Sequence, residues 1–149
     1  MTKLNELAAR LERDGIDILH VGLFDYASVF RERRLKRDQF LAWARDPRFS
    51  NTLPHWDSAD SLFGGGPYLT EALSLDVASL RPYAFEPKAA AIVADYAGEN
   101  RELMPRAVLA RQIERAASMG YEVRAAFEFE VIFLKENAAS LRDSGFAAM

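Results

Sequence analysis

The chain has 149 residues, half of them hydrophobic and 28% charged, with a net charge of −3 and no cysteine. That balance fits a folded globular protein and argues against a disordered one. It excludes disulfides and thiolate metal sites and leaves no overall basic field to attract nucleic acid or an anionic membrane. The start "MTKLNELAARLERDG" is charged throughout, unlike a signal peptide, and no apolar run reaches spanning length. We therefore expect a cytoplasmic protein with no membrane contact.

Leu4, Leu7, Ala8 and Leu11 follow helical spacing, with Thr2 placed as an N-cap and Gly15 as a stop. "IDILHVGLFD" (16–25) predicts a strand, "YAS" a short connection, and "VFRERRLK" (29–36) a second strand returning as a hairpin. Asp38 is placed to cap a short helix through "QFLAWAR" that ends near Pro47. Residues 47–72 carry three prolines and three consecutive glycines, which predicts a long loop. "AAAIVADYA" (89–97) predicts another strand.

Pro105 suits the first turn of a helix running to about residue 118, with Leu109, Ile113, Ala116 and Ala117 as its buried stripe and Gly120 as its left-handed stop. Residues 121–134 predict a long strand. Its alternation puts Tyr121, Val123, Ala125, Phe127, Phe129, Val131 and Phe133 on one face. Glu122, Arg124, Ala126, Glu128, Glu130, Ile132 and Leu134 share the other. The tail 138–149 predicts no element. Either the strand pairs backward onto 89–97, or the chain is the front portion of a larger protein.

Most chemical candidates fail on their surroundings. "RERRLKR" (31–37) has no interleaved aromatic platform and reads as a solvated strand face. "GGGP" (64–67) lacks the Lys-Ser/Thr of a phosphate-binding loop and reads as flexible backbone. His20 and His55 share no motif and define no zinc site, and no nucleophile context such as Gly-x-Ser-x-Gly occurs. Glu128 and Glu130 remain. Two carboxylates side by side on one strand face repel, so solvent, a basic side chain or a cation must compensate. A solvated face and a site for a hard divalent cation both satisfy that requirement.

"MPRAVLARQIERAASMGYEVRAAFEFEVIFL" resembles the glutamine synthetase superfamily where its N-terminal domain joins its catalytic domain. Pro105, Arg106, Leu109, Gly120, Glu128 and Glu130 fall in the family's order and spacing: a Pro-Arg pair, a Leu- and Ala-rich helix, Gly, then a strand carrying Glu-x-Glu-Phe. "LFDYASVFRERRLKRDQF" is similar to the family's strand–turn–strand, with Asp25 and Arg31, and "LSLDVASLRPYAFEPKAAAIVADY" to a stretch leading into a strand. The sequence also departs from the pattern. Met104 stands where the family has Asp, Ser28 where the hairpin has Gly, and "WDSADSLFG" matches the family's Asp-rich loop only loosely, with Asp57 its best candidate. These departures point towards relatives that join glutamate to amines or polyamines.

The resemblance implies an α+β fold: a ubiquitin-like (β-grasp) domain over residues 1–100, then the first helix and strand of an incomplete catalytic domain over 101–149. It implies an ATP-dependent carboxylate–amine ligase that joins ammonia or an amine to the γ-carboxylate of glutamate through an acyl phosphate. It further implies Mg²⁺ or Mn²⁺, with Glu130 on the cation nearer glutamate and Glu128 on the one nearer the phosphates. The family is homo-oligomeric, with Asp57 implied to reach a neighbouring subunit's site. The remaining ligands would lie downstream, so this polypeptide alone is expected to be inactive. The alternative is a non-enzymatic α/β module that binds a partner through the 47–72 loop or an exposed sheet edge. Two substitutions follow from the sequence: Met104→Asp should add about 0.5–2 kcal/mol by restoring an N-cap, and Phe129→Ala should cost about 3–5 kcal/mol if Phe129 is buried.

Overall fold

The apolar run after Gly15 forms an inner strand of a five-stranded sheet. β1 (Ile18–Phe24) pairs antiparallel with β2 (Phe30–Lys36) and parallel with β5 (Ala89–Tyr96). A computed structural model describes residues 3–57, 59, 61–64, 66–133, 135–145 and 147. Thr2 and Leu134 lie outside the described residues. β4 (Thr70–Pro82) runs antiparallel to β5, and the short β3 (Arg48–Ser50) antiparallel to β4, giving the order β2-β1-β5-β4-β3. The fold is mixed α+β.

Period-2 alternation builds the core. Leu19 and Val21 of β1, with Ala90 and Ile92 of β5, face Leu7 and Leu11 of α1 (Lys3–Arg13) and Phe40 of α2 (Arg37–Trp43). A second cluster joins Leu23, Leu53, Leu73, Ala94, Tyr96 and Met104. α1 stops as expected: Gly15 takes a left-handed φ of 65° and Ile16 N–H closes the turn on Leu11 C=O at 2.9 Å. α2 begins earlier than expected. Lys36 holds the N-cap position, so Asp38 falls within the first turn and does not cap it.

The sheet curls. β2 and β3 are its opposite edges, yet the Arg33 guanidinium lies 5.3 Å from the Phe49 ring centroid, and Arg31 lies 4.5 Å from that of Trp56. Arg34 pairs with Glu86. The basic run is exposed at Glu32, Arg33, Arg34 and Lys36, as expected of a solvated face. Three of its arginines fasten separate parts of the chain.

β4 departs from expectation in part because its signal is interrupted. Leu73, Leu75 and Val77 alternate, but the register slips between Asp76 and Arg81, and the next inward residue is Leu80. Ser79 bridges the slip: its hydroxyl donates to Asp76 C=O at 2.6 Å and accepts from Val93 N–H at 2.8 Å. β3 and the start of β4 also take both ends of the expected 47–72 loop.

The carboxy-terminal elements differ most. α3 (Pro105–Ser118) forms with Pro105 in its first turn and Gly120 at a φ of 84°, but none of its residues is buried, and Leu109 is 60% exposed. The expected buried stripe is uncovered. Residues 121–133 form no strand. A strand takes its hydrogen bonds from a neighbour, and both edges of β5 are already filled by β1 and β4, so backward pairing onto 89–97 is closed off. Phe127, Phe129 and Phe133 are accordingly exposed, Phe129 by 83%, and Phe129→Ala should cost this chain little. In the tail, α4 (Ala138–Asp143) forms where none was expected, capped by the Asn137 side chain, which accepts from Ala139 and Ser140 N–H. No helix among the described residues is long and apolar enough to cross a membrane.

Candidate functional site

The β1–β2 turn positions the first candidate residues. Asp25 is buried at the end of β1, where its Oδ1 accepts from Ala27 and Val29 N–H at 2.9 Å each. Its Oδ2 accepts from Arg31 Nε at 2.8 Å. Burial pushes the Asp25 carboxyl up, but Arg31 and the two backbone donors outweigh it and hold the group below the ordinary carboxylate range. Ser28 sits in the same turn at a φ of 61°, the left-handed conformation in which glycine carries no Cβ penalty. Asp25 thus aims Arg31, and Arg31 covers Trp56, the residue before Asp57.

Asp57 is exposed and organises its own loop. Its Oδ1 accepts from Ala59 N–H at 2.8 Å and Ser61 N–H at 2.9 Å. Further on, Phe63 N–H donates to His55 C=O, Tyr68 hydroxyl to Gly64 C=O, and Leu69 N–H to Asn51 Oδ1, each at 2.8 Å. Described residues between 51 and 69 are therefore bonded to one another, Gly64 among them, whereas residues 58, 60 and 65 lie outside the described residues.

A second set of contacts fixes the start of α3. Arg106 donates from Nε to Asp95 Oδ1 and from Nη2 to Asp76 Oδ2, both at 2.9 Å. Glu71 accepts from Asn100 N–H at 3.1 Å, and Tyr26 hydroxyl donates to Leu103 C=O at 2.8 Å. Met104 is the N-cap of α3 with no side-chain cap bond, as its residue type implied, but it is only 4% exposed and belongs to the second core cluster. That reverses the expectation for Met104→Asp. A carboxylate there would enter an apolar cluster, so thermal unfolding should show a loss of about 2 kcal/mol in place of a gain.

Glu128 and Glu130 lie on the exposed, unpaired stretch 121–133. The structure does not bring them together with Asp57 or with a third ligand: among the described residues no group of three His, Cys, Asp or Glu side chains could hold a metal ion. Their carboxylate oxygens are the right donors for a hard cation, but two side chains are fewer than its coordination shell needs. Two positions, Trp56 and Glu86, carried no functional signal in the sequence. They emerge only from tertiary contacts, whereas the His20–Glu32 proximity follows from hairpin register, in which His20 faces Arg34 and Gly22 faces Glu32.

No family model matches the chain. A glutamate–isopropylamine ligase from a Pseudomonas species is 32% identical to it over 143 residues, covering 88% of this chain and 31% of that protein. The chain belongs to the glutamine synthetase superfamily. Two solved structures of GmaS share its fold. One, a complex with ADP, matches with a TM-score of 0.58 at 19% identity over 80% of this chain; the other, without ligand, gives 0.59 at 20% over 76%. Each match covers 26% of the GmaS chain, so this member of the glutamine synthetase superfamily spans under a third of the length of the relatives it matches.

Proposed function

We propose that the chain is the amino-terminal part of an ATP-dependent ligase that joins ammonia or an amine to the γ-carboxylate of glutamate through an acyl phosphate. The observation that carries this reading is the 32% identity to a glutamate–isopropylamine ligase. The preference for an amine over ammonia rests on the same relative. We read the sheet as β-grasp, an assignment supported by its central parallel β1–β5 pair with β2 returning as a hairpin.

In this reading Glu128 and Glu130 bind Mg²⁺ or Mn²⁺ together with oxygen donors from outside the stretch, Glu130 on the glutamate side and Glu128 on the phosphate side. Bound divalent cations would neutralise charge on the transferring phosphoryl group. Asp25 and Arg31 position the loop that presents Asp57, which serves the site of a neighbouring subunit in a cytoplasmic homo-oligomer. Arg106 fixes the orientation of α3, and with it the direction in which the chain leaves towards Glu128. An assay of glutamate- and amine-dependent ADP release tests the proposal. The 149-residue chain alone should give none, and the same chain extended to the length of its relatives should turn over. An extended protein with no ligase activity on any amine or ammonia would refute it.

A further inference from the structure

His20 lies on the side of β1 away from Leu19 and Val21, and its side chain is only 6% exposed. Its Nδ1 is 2.6 Å from Glu32 Oε1 on β2, and its Nε2 is 2.9 Å from Glu86 Oε2 in the turn 83–88 between β4 and β5. Glu86 also pairs with Arg34, which faces His20 across the hairpin. The Tyr83 ring stacks on the imidazole with centroids 4.0 Å apart. On the other flank β5 offers only Ala91, and Arg81, opposite Ala91 on β4, turns its Nε to Ser79 C=O.

A neutral imidazole has one N–H and one bare nitrogen, whereas an ionised carboxylate can only accept. Two carboxylates on the two ring nitrogens are both satisfied only when both nitrogens carry protons. Arg34 and His20 hold Glu86 down to about 2, so it is ionised at neutral pH. We propose that His20 is a pH-sensitive latch: as an imidazolium it ties the β4–β5 turn to the β1–β2 hairpin, and the tie opens when the ring loses its proton. Burial alone would favour the neutral ring, but the bonds to Glu32 and Glu86 outweigh it and raise His20 above its ordinary 6.5. A raised folded value stabilises fully below the unfolded value near 6.5, and that stability is lost as pH rises through the folded value. The latch therefore opens on the alkaline side.

Long-range ¹H–¹⁵N correlation spectra of the 149-residue chain test this directly. Both His20 ring nitrogens should be protonated at pH 6, with a titration midpoint above the ordinary 6.5, and the backbone amides of 83–88 should shift with the same midpoint. Glu32→Gln and Glu86→Gln should each lower that midpoint. A neutral His20 ring at pH 6 in the unmodified chain, including one whose missing proton sits on Glu32, would overturn the proposal. So would turn amides that do not move as His20 titrates.

Discussion

Asp25→Ala is expected to destabilise the chain by about 3 kcal/mol and to loosen the loop that carries Asp57. The substitution removes the acceptor for two backbone N–H groups and for Arg31 at once. Arg31 then loses the partner that aims it across Trp56. Of the two tryptophans, Trp43 packs beside Phe40, so a change in emission traced to Trp56 would report the loop specifically. The same pair predicts an acid limb. Because the folded carboxyl is held below its ordinary value, its stabilisation is present above about pH 4 and is lost as pH falls through the folded value. Asp25→Asn should flatten that limb. Unchanged chemical denaturation and unchanged Trp56 emission in Asp25→Ala would show that Asp25 holds nothing.

Gly22→Ala should be comparably damaging, about 3 kcal/mol, for a different reason. A Cβ on Gly22 would lie 2.2 Å from Arg31 C=O oxygen and 2.7 Å from Glu32 Cα. Both are backbone atoms of β2, so no flexible side chain can move aside, and the hairpin must open. Since Arg31, Glu32 and Arg34 all lie on β2, the damage should reach the Trp56 contact and the His20 cluster together. A variant with normal stability and a normal hairpin would mean that β2 shifts without penalty.

The difference between what the sequence revealed and what it concealed follows physical lines. α1, the hairpin, α2, β5 and α3 were legible because each carries a continuous periodic pattern or a strong stop, such as Gly15 at its positive φ. β4 was concealed by the slip at Ser79, which breaks alternation just where a reader needs it. The sequence shows the exposure of Arg33 and Arg34 but not the contacts of the arginines of 31–34, because their partners, Trp56, Phe49 and Glu86, lie far along the chain. Local pattern carries no information about such partners. Phe127, Phe129 and Phe133 were misread in the opposite direction: their alternation is that of a strand, but alternation supplies no ladder partner, and the side chains are open to solvent. Met104 teaches the same lesson at one residue. Its type correctly signalled a missing cap, and only packing shows that the position belongs to the core.

Glu130 is where the functional reading is most exposed to test. In the extended ligase, Glu130→Ala should abolish glutamate- and amine-dependent ADP release at saturating Mg²⁺ or Mn²⁺ while leaving thermal unfolding essentially unchanged, because its side chain is exposed and supports no packing in this chain. Steady-state turnover of the variant, measured beside its melting curve, is the decisive measurement. Loss of turnover with an intact melt is the result predicted for a metal-binding carboxylate; near-normal turnover at ordinary metal concentrations would contradict it.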